Sequence, residues 1–162
     1  MIFSDVHLQL AADIIEACRT AGLKIATAES CTGGLIAACL TEIPGSSAVI
    51  DRGFVVYSNR AKQELLGVPV DMLEEHGAVS AETATAMASG ARDRAGVDLA
   101  IAVTGIAGPD GGSAAKPVGL VHLALVTGGH IEAVREVFSG DRQAVRAATL
   151  EQALRMIDSA IK

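Results

Sequence analysis

Between Lys24 and Leu40 a short apolar run, Lys24-Ile25-Ala26, passes into a helical run, Leu35-Ile36-Ala37-Ala38-Cys39-Leu40, through the turn Thr27-Ala28-Glu29-Ser30-Cys31-Thr32-Gly33-Gly34. A buried strand feeding directly into a helix belongs to open α/β sheets. Such a turn aims main-chain N–H groups and one hydroxyl into the same space. The helix start adds unpaired donors and a partial positive charge. That geometry suits a bound phosphate or the oxyanion of an acyl-transfer reaction. The stretch by itself leaves both readings open.

The rest of the chain continues the alternation. Val6, Leu10, Ile14 and Ala17 recur at helical spacing over Asp5 to Thr20, with Gly22 just past the end. The spacing predicts a first strand over Lys24–Ala28 and a helix over Gly33–Thr41 that ends before Pro44-Gly45. A second strand is expected over Val49–Tyr57, followed by a helix from the cap Ser58-Asn59 through Leu66. A short helix over Asp71–His76 and a long one from Ser80-Ala81-Glu82 to about Ala95 come next. Leu99–Thr104 reads as a buried strand, and Gly105–Pro117 as a long Gly/Pro-rich loop of the kind that is often functional. Thr127-Gly128-Gly129-His130 joins two strands, Gly119–Val126 and Ile131–Phe138, as a hairpin. The last helix starts at Arg142 and runs to about Ile161, with Val145, Ala148, Leu150, Ala153, Leu154 and Ile157 facing inward. This order predicts one domain over residues 1–162, a three-layer α/β/α sandwich on a mixed, mostly parallel sheet.

Composition narrows the partners. Half of the 162 residues are hydrophobic, which is enough for a full core, and the net charge is −6. A nucleic-acid module carries a basic face and aromatics for stacking; this chain is acidic and has few aromatics, with no Trp, one Tyr and three Phe. Neither nucleic acid nor a membrane is expected as a partner, since no apolar run approaches the ~20 residues of a span. The segment Met1-Ile2-Phe3-Ser4-Asp5 does not have the pattern of a signal peptide. Cys18, Cys31 and Cys39 form an odd, widely spaced set that fits a reducing, cytoplasmic compartment. His7 and His76 are read as exposed polar residues and His122 as a strand residue. No spacing resembles a zinc site, and no metal or cofactor is expected.

Three clusters follow apolar strands, and α/β sheets gather ligands beyond the carboxyl ends of their strands. They are Ser30-Cys31-Thr32-Gly33-Gly34, Tyr57 with Lys62, and Thr104-Gly105-Ile106-Ala107-Gly108-Pro109. Ser30 lacks a Gly-x-Ser-x-Gly elbow and a His–Asp pair, so a nucleophilic role needs another base. Lys62 is the candidate if desolvation lowers its pKa, with Tyr57 passing the proton. The N–H groups of Cys31, Thr32 and Gly33 would hold the oxyanion. In the competing reading Ser30 or Thr32 caps the helix, Tyr57 packs and Lys62 is solvated. Cys31 is a rival nucleophile through its place at the helix start. Glycines from Thr104 to Gly108 would let a ligand approach the main chain. Arg142 and Arg146 open the last helix and suit a phosphate or carboxylate. The phosphate-loop and dinucleotide fingerprints are both absent.

Taken in order, Ala28-Glu29-Ser30-Cys31-Thr32-Gly33-Gly34, Pro44-Gly45-Ser46-Ser47, Tyr57-Ser58-Asn59 with Lys62, and Leu66-Gly67-Val68 resemble the C-terminal domain family of CinA, the competence/damage-inducible protein. The resemblance continues through Gly77-Ala78-Val79-Ser80, Thr104 to Pro109, Gly111-Gly112 and Lys116-Pro117-Val118-Gly119, and covers about Leu10 to Leu154. It implies a stand-alone nicotinamide-nucleotide amidohydrolase that converts nicotinamide mononucleotide to nicotinate mononucleotide and ammonia. It implies Ser30 as nucleophile, Lys62 as base and Tyr57 as its partner. Substrate contacts would come from Cys31, Thr32, Gly33, Gly34, Thr104, Gly105, Ala107 and Gly108. An Arg of the last helix, Arg146 in preference to Arg142, would hold the phosphate. Such proteins need no metal and are often homodimers. Three other functions are weighed for the same residues: a non-catalytic nucleotide-binding module, an amidase for another small amide, and a phosphate-binding regulatory domain, which the absent phosphate-loop pattern disfavours. Asp51-Arg52-Gly53 departs from the two glycines that often precede the second strand in this family.

Overall fold

The structure, a computed structural model, describes residues 2–162; Met1, part of the N-terminal segment read above, lies outside them. Helix α1 (Asp5–Ala21) starts with a reciprocal cap, in which Ser4 Oγ accepts the His7 N–H and His7 Nδ1 accepts the Ser4 N–H. His7 is therefore buried rather than exposed. Its ring completes the cap and lies under the helix start, 4.0 Å from Glu151. Strand β1 (Ile25–Glu29) leads to α2 (Leu35–Thr41), and a short 3-10 turn over Ser46–Ala48 precedes β2 (Ile50–Val55). Three helices follow: α3 (Asn59–Leu66), α4 (Val70–His76) and α5 (Ala81–Ala95). Then come β3 (Leu99–Gly105), the hairpin β4 (Leu120–Val126) and β5 (Ile131–Val137), and α6 (Arg142–Ile161).

The sheet order is β2-β1-β3-β4-β5. Strand β1 runs parallel to both β2 and β3, and β4 is antiparallel to both β3 and β5. Only β4 therefore opposes the common direction, as a mixed, mostly parallel sheet requires. Alternation along each strand divides the core. Ile101, Val103, Leu123 and Leu125 pack against Ile14 of α1, Ile36 of α2, and Leu150 and Leu154 of α6. On the other face Ala26, Ala28, Ala100, Ala102 and Ala124 meet Met87, Ala88 and Ala91 of α5. The alanines of the chain thus let α5 lie close to the sheet, while the branched residues fill the opposite layer. On α6 the inward face includes Thr149 and Met156; Ala148, expected to point inward, is half-buried because Thr149 turns to the core and bonds the Val145 carbonyl. Among the described residues no helix is long and apolar enough to cross a membrane.

Strand β1 carries β2 on one side and β3 on the other. Its outgoing helix α2 packs in one layer, while α5, which leads back to β3, packs in the other. The chain leaves β1 through α2 toward β2 on one side and leaves β3 toward β4 on the other, which opens a crevice beyond their carboxyl ends. Ser30 is the first residue past β1, and Ile106 the first past β3.

Candidate active site

Ser30 stands at that crevice because its N–H still bonds the Val103 carbonyl of β3 at 3.1 Å. The chain then turns away into α2. Gly33 and Gly34 take φ of +59° and +103°, conformations that suit glycine and set the sharpness of the turn. Glu29, wholly buried, fills the helix start. Its carboxylate accepts the Thr32 hydroxyl at 2.6 Å and the N–H groups of Gly34, Ile36 and Ala37 at 3.1, 3.0 and 2.9 Å. The anionic side chain is thus the cap of α2, placed where the helix dipole favours it. It does not face the crevice as a partner for a cationic ligand.

The capping settles which amides remain for a substrate. The Gly34 N–H is taken by Glu29 and the Gly33 N–H by the Ser30 carbonyl at 3.1 Å. The N–H groups of Cys31 and Thr32, the two residues after Ser30, have no main-chain acceptor among the described residues, and of these two residues only Cys31 borders the space at Ser30. The helix start is therefore not an open phosphate nest, and the Cys31 N–H is the main-chain donor left at the Ser30 end of the turn for an oxyanion.

Lys62 reaches Ser30 from α3. It is 1% exposed, and its Nζ lies 3.1 Å from Ser30 Oγ, 3.0 Å from the Val56 carbonyl and 3.2 Å from the Tyr57 carbonyl. Expected as strand, Val56 and Tyr57 instead leave β2, and their carbonyls turn to the ammonium rather than to the sheet. Among the described residues no carboxylate pairs with Lys62. Burial pushes its pKa below the ordinary 10.5, with the neighbouring Cys31 opposing the shift. The neutral amine has two hydrogens and one lone pair. Two carbonyl acceptors take the hydrogens, and the lone pair is left for the Ser30 hydroxyl. The ammonium formed by taking that proton has three donors for three acceptors. The surroundings fit both states of a general base.

Tyr57 does not stand between Ser30 and Lys62. Its phenol accepts a bond from Arg142 Nη2 at 3.2 Å, and the residue is largely exposed. Arg142 also donates Nη1 to the Gly108 carbonyl at 2.9 Å. It therefore ties the loop after β3 to the end of β2 across the crevice. Ser30, Cys31, Tyr57, Lys62, Ala78, Val79, Thr104, Gly105, Ala107 and Arg142 enclose a cleft of about 190 Å³. The three clusters singled out in the sequence do converge. Thr104 donates its hydroxyl to the Ala78 carbonyl at 2.7 Å, which fixes the Ala78-Val79 wall. Gly105 owes its lack of a side chain to β4, since a Cβ there would stand 2.7 Å from Val121.

Thr32, Gly33, Gly34, Gly108 and Arg146 do not line that cleft. Arg146 donates Nη2 to the Thr32 carbonyl at 2.9 Å and borders a neighbouring hollow of about 490 Å³ with Phe3, His7 and Leu35. Of the two arginines weighed on α6, Arg142 is the one that reaches the Ser30 cleft. Sequence reasoning missed Ala78 and Val79. Their signal is the Gly77-Ala78-Val79-Ser80 run just before the Ser80 cap of α5.

Cys31 sits in the cleft wall, but burial pushes its thiol up to about 11 and outweighs the main-chain N–H and the Arg146 and Lys62 charges that act the other way. A protonated thiol is a weak nucleophile. Iodoacetamide at neutral pH is expected to leave Cys31 unmodified in peptide mass spectra of the folded protein. Rapid carbamidomethylation there would return the thiol as rival to Ser30.

Comparison with known proteins places these features in a family. The family model described as the CinA C-terminal domain matches residues 7–161. A CinA-like protein of Citrifermentans bemidjiense is 58% identical over 136 residues, covering 84% of this chain and 33% of that protein. A CinA-like protein of Geobacter sulfurreducens is 57% identical over 136 residues, with the same coverages. The chain thus spans about a third of the length of the curated relatives it matches. Among solved structures, the competence/damage inducible protein CihA from Agrobacterium tumefaciens superposes with a TM-score of 0.96 at 51% identity. The match covers 98% of this chain and 97% of that one. A CinA superfamily protein from Klebsiella pneumoniae gives a TM-score of 0.92 at 37% identity, covering 98% of each. With the family model matched over residues 7–161 and the fold shared with solved CinA superfamily proteins, the protein belongs to the CinA C-terminal domain family.

Proposed function

We propose that the protein is a serine amidohydrolase that hydrolyses the carboxamide of nicotinamide mononucleotide, giving nicotinate mononucleotide and ammonia. The observation that carries this reading is the buried Lys62 amine 3.1 Å from Ser30 Oγ, with two carbonyls as its other partners. A lysine that merely packed would have no reason to bring its nitrogen, without a counter-ion, to a hydroxyl at the mouth of a cleft. The choice of substrate rests on the family resemblance. A cleft of about 190 Å³ suits one ring and its carboxamide, with the ribose phosphate directed outward past Arg142.

In the proposed reaction Lys62 takes the Ser30 proton as Oγ bonds to the carboxamide carbon. The carbonyl electrons move to oxygen, which the Cys31 N–H receives; such a donor contributes about 2.7–4 kcal/mol in comparable sites. The Lys62 ammonium then returns the proton to the leaving nitrogen, and the C–N bond breaks to release ammonia. Water attacks the resulting ester with Lys62 again as base, freeing the acid and restoring Ser30. Tyr57 serves Lys62 through its main-chain carbonyl, and its phenol forms the cleft wall with Arg142.

Ammonia release from nicotinamide mononucleotide by the purified protein, with Ser30→Ala beside it, tests the reading. Turnover by the wild type alone is expected. Comparable release by the Ser30→Ala protein would eliminate the serine nucleophile. Binding of the nucleotide by a wild type that releases nothing would turn the site into a binding module.

A further inference from the structure

Arg146 donates Nη2 to a main-chain carbonyl, leaves its buried Nε without a partner among the described residues, and does not line the cleft. That carbonyl, of Thr32, also receives the Leu35 N–H at 3.3 Å. It belongs to the peptide plane between Thr32 and Gly33. The other end of the same plane, the Gly33 N–H, donates to the Ser30 carbonyl at 3.1 Å. The Ser30 carbonyl in turn shares its plane with the Cys31 N–H, the donor proposed above for the oxyanion. A chain of two peptide planes therefore runs from the guanidinium to the oxyanion site. Hydrogen bonds in such a chain polarise one another. A plane next to a glycine at φ +59° is also among the easiest to rotate. A cation fixed on its oxygen opposes that rotation. The Arg146 charge is among those that favour an anion at Cys31.

We propose that Arg146 is a positioning residue, which orients and polarises the Cys31 N–H through the Thr32–Gly33 and Ser30–Cys31 peptide planes instead of binding the substrate's phosphate. The proposal rests on Ser30 as the nucleophile, but not on which amide is cleaved. Losing one oxyanion donor outright costs about 10²–10³-fold in kcat, so loosening one should cost less. Arg146→Gln is expected to lower kcat by about 10- to 100-fold with KM within about twofold. The same factor is expected on nicotinamide riboside, which has no phosphate. Arg146→Lys, which keeps a cationic donor for Thr32, should recover most of the loss. A loss that falls on KM and disappears with the riboside overturns the proposal in favour of a phosphate ligand.

Two readouts do not need that substrate. The Cys31 amide proton is expected to move upfield in Arg146→Gln and by less in Arg146→Lys; an unmoved resonance in both overturns the proposal. Phosphonylation of Ser30 by a fluorophosphonate probe should slow in Arg146→Gln, and equal rates would overturn it as well. A wild type that is phosphonylated yet inert toward the nucleotide would sink the substrate assignment while leaving the part played by Arg146 measurable.

Discussion

Replacing Lys62 with Met is expected to lower ammonia release by about 10⁴-fold or more, as removal of a nucleophile's base does in other hydrolases. Nothing else in the cleft can take the Ser30 proton. The Tyr57 phenol is engaged by Arg142, the Cys31 thiol is held in its protonated form by burial, and among the described residues no histidine lines the cleft. Lys62→Arg is expected to be as inactive, because a guanidinium keeps its proton. Retention of more than about a hundredth of the wild-type rate in either variant would remove Lys62 from the role of base.

The same residue fixes the sign of two pH effects. Burial lowers the Lys62 pKa below 10.5, and the neutral amine is the reactive form. Activity should therefore rise tenfold per pH unit on the acid limb and level off at the folded-state pKa. Stability follows from the same shift. Below the folded pKa both folded and unfolded chains carry the proton, and the cost of burying the charge stands in full. Between that pKa and 10.5 the unfolded chain keeps a proton that the folded chain has shed. Stability then rises with pH by up to about 1.4 kcal/mol per unit, and the gain ends above the unfolded value. The melting temperature of the wild type relative to Lys62→Met should climb through this window. A constant difference would mean that Lys62 titrates as in water.

How much of this was legible in the sequence depended on whether a residue acts through its type or through its neighbours. The strands β3 and β4 announced themselves because both faces are buried, so apolar residues run on without a break. The Ser30 turn was visible because a strand, two glycines and a helix leave few conformations. Lys62 could be named, but its environment could not, since the carbonyls of Val56 and Tyr57 face it only because the chain quits β2 early. The fate of the amides was also hidden. Glu29 sits one residue before Ser30, yet only the three-dimensional turn reveals that it consumes the Gly34 N–H. Arg142 and Arg146 are one helical turn apart and equivalent by composition. The pitch of α6 aims one across the crevice at Gly108 and Tyr57 and the other behind it at Thr32. His7 misled for a similar reason, because a histidine three residues after Ser4 carries no sign that it closes a cap.

Glu29 should prove the most costly polar residue in the protein to remove. In Glu29→Ala, three N–H groups and the Thr32 hydroxyl lose their acceptor at once. Each buried group left unpaired costs about 1–3 kcal/mol, and water entering the vacated space offsets part of the sum. A loss of about 4 kcal/mol is expected, a large share of the roughly 5–15 kcal/mol that holds a domain folded. At about 2–4 °C per kcal/mol, the melting temperature should fall by about 8–16 °C. Glu29→Gln separates shape from charge. Its oxygen can replace the one that receives Thr32, Gly34 and Ile36, but its amide then points hydrogens at the Ala37 N–H. About half the loss is expected, with a fall in kcat greater than any change in KM, because the Ser30 turn loosens with its cap. Thermal melts and steady-state kinetics of both variants read these effects. If Glu29→Gln melts within about 1 °C of the wild type, the carboxylate's charge is not what holds the helix start, and the three bonds to one oxygen suffice for the cap.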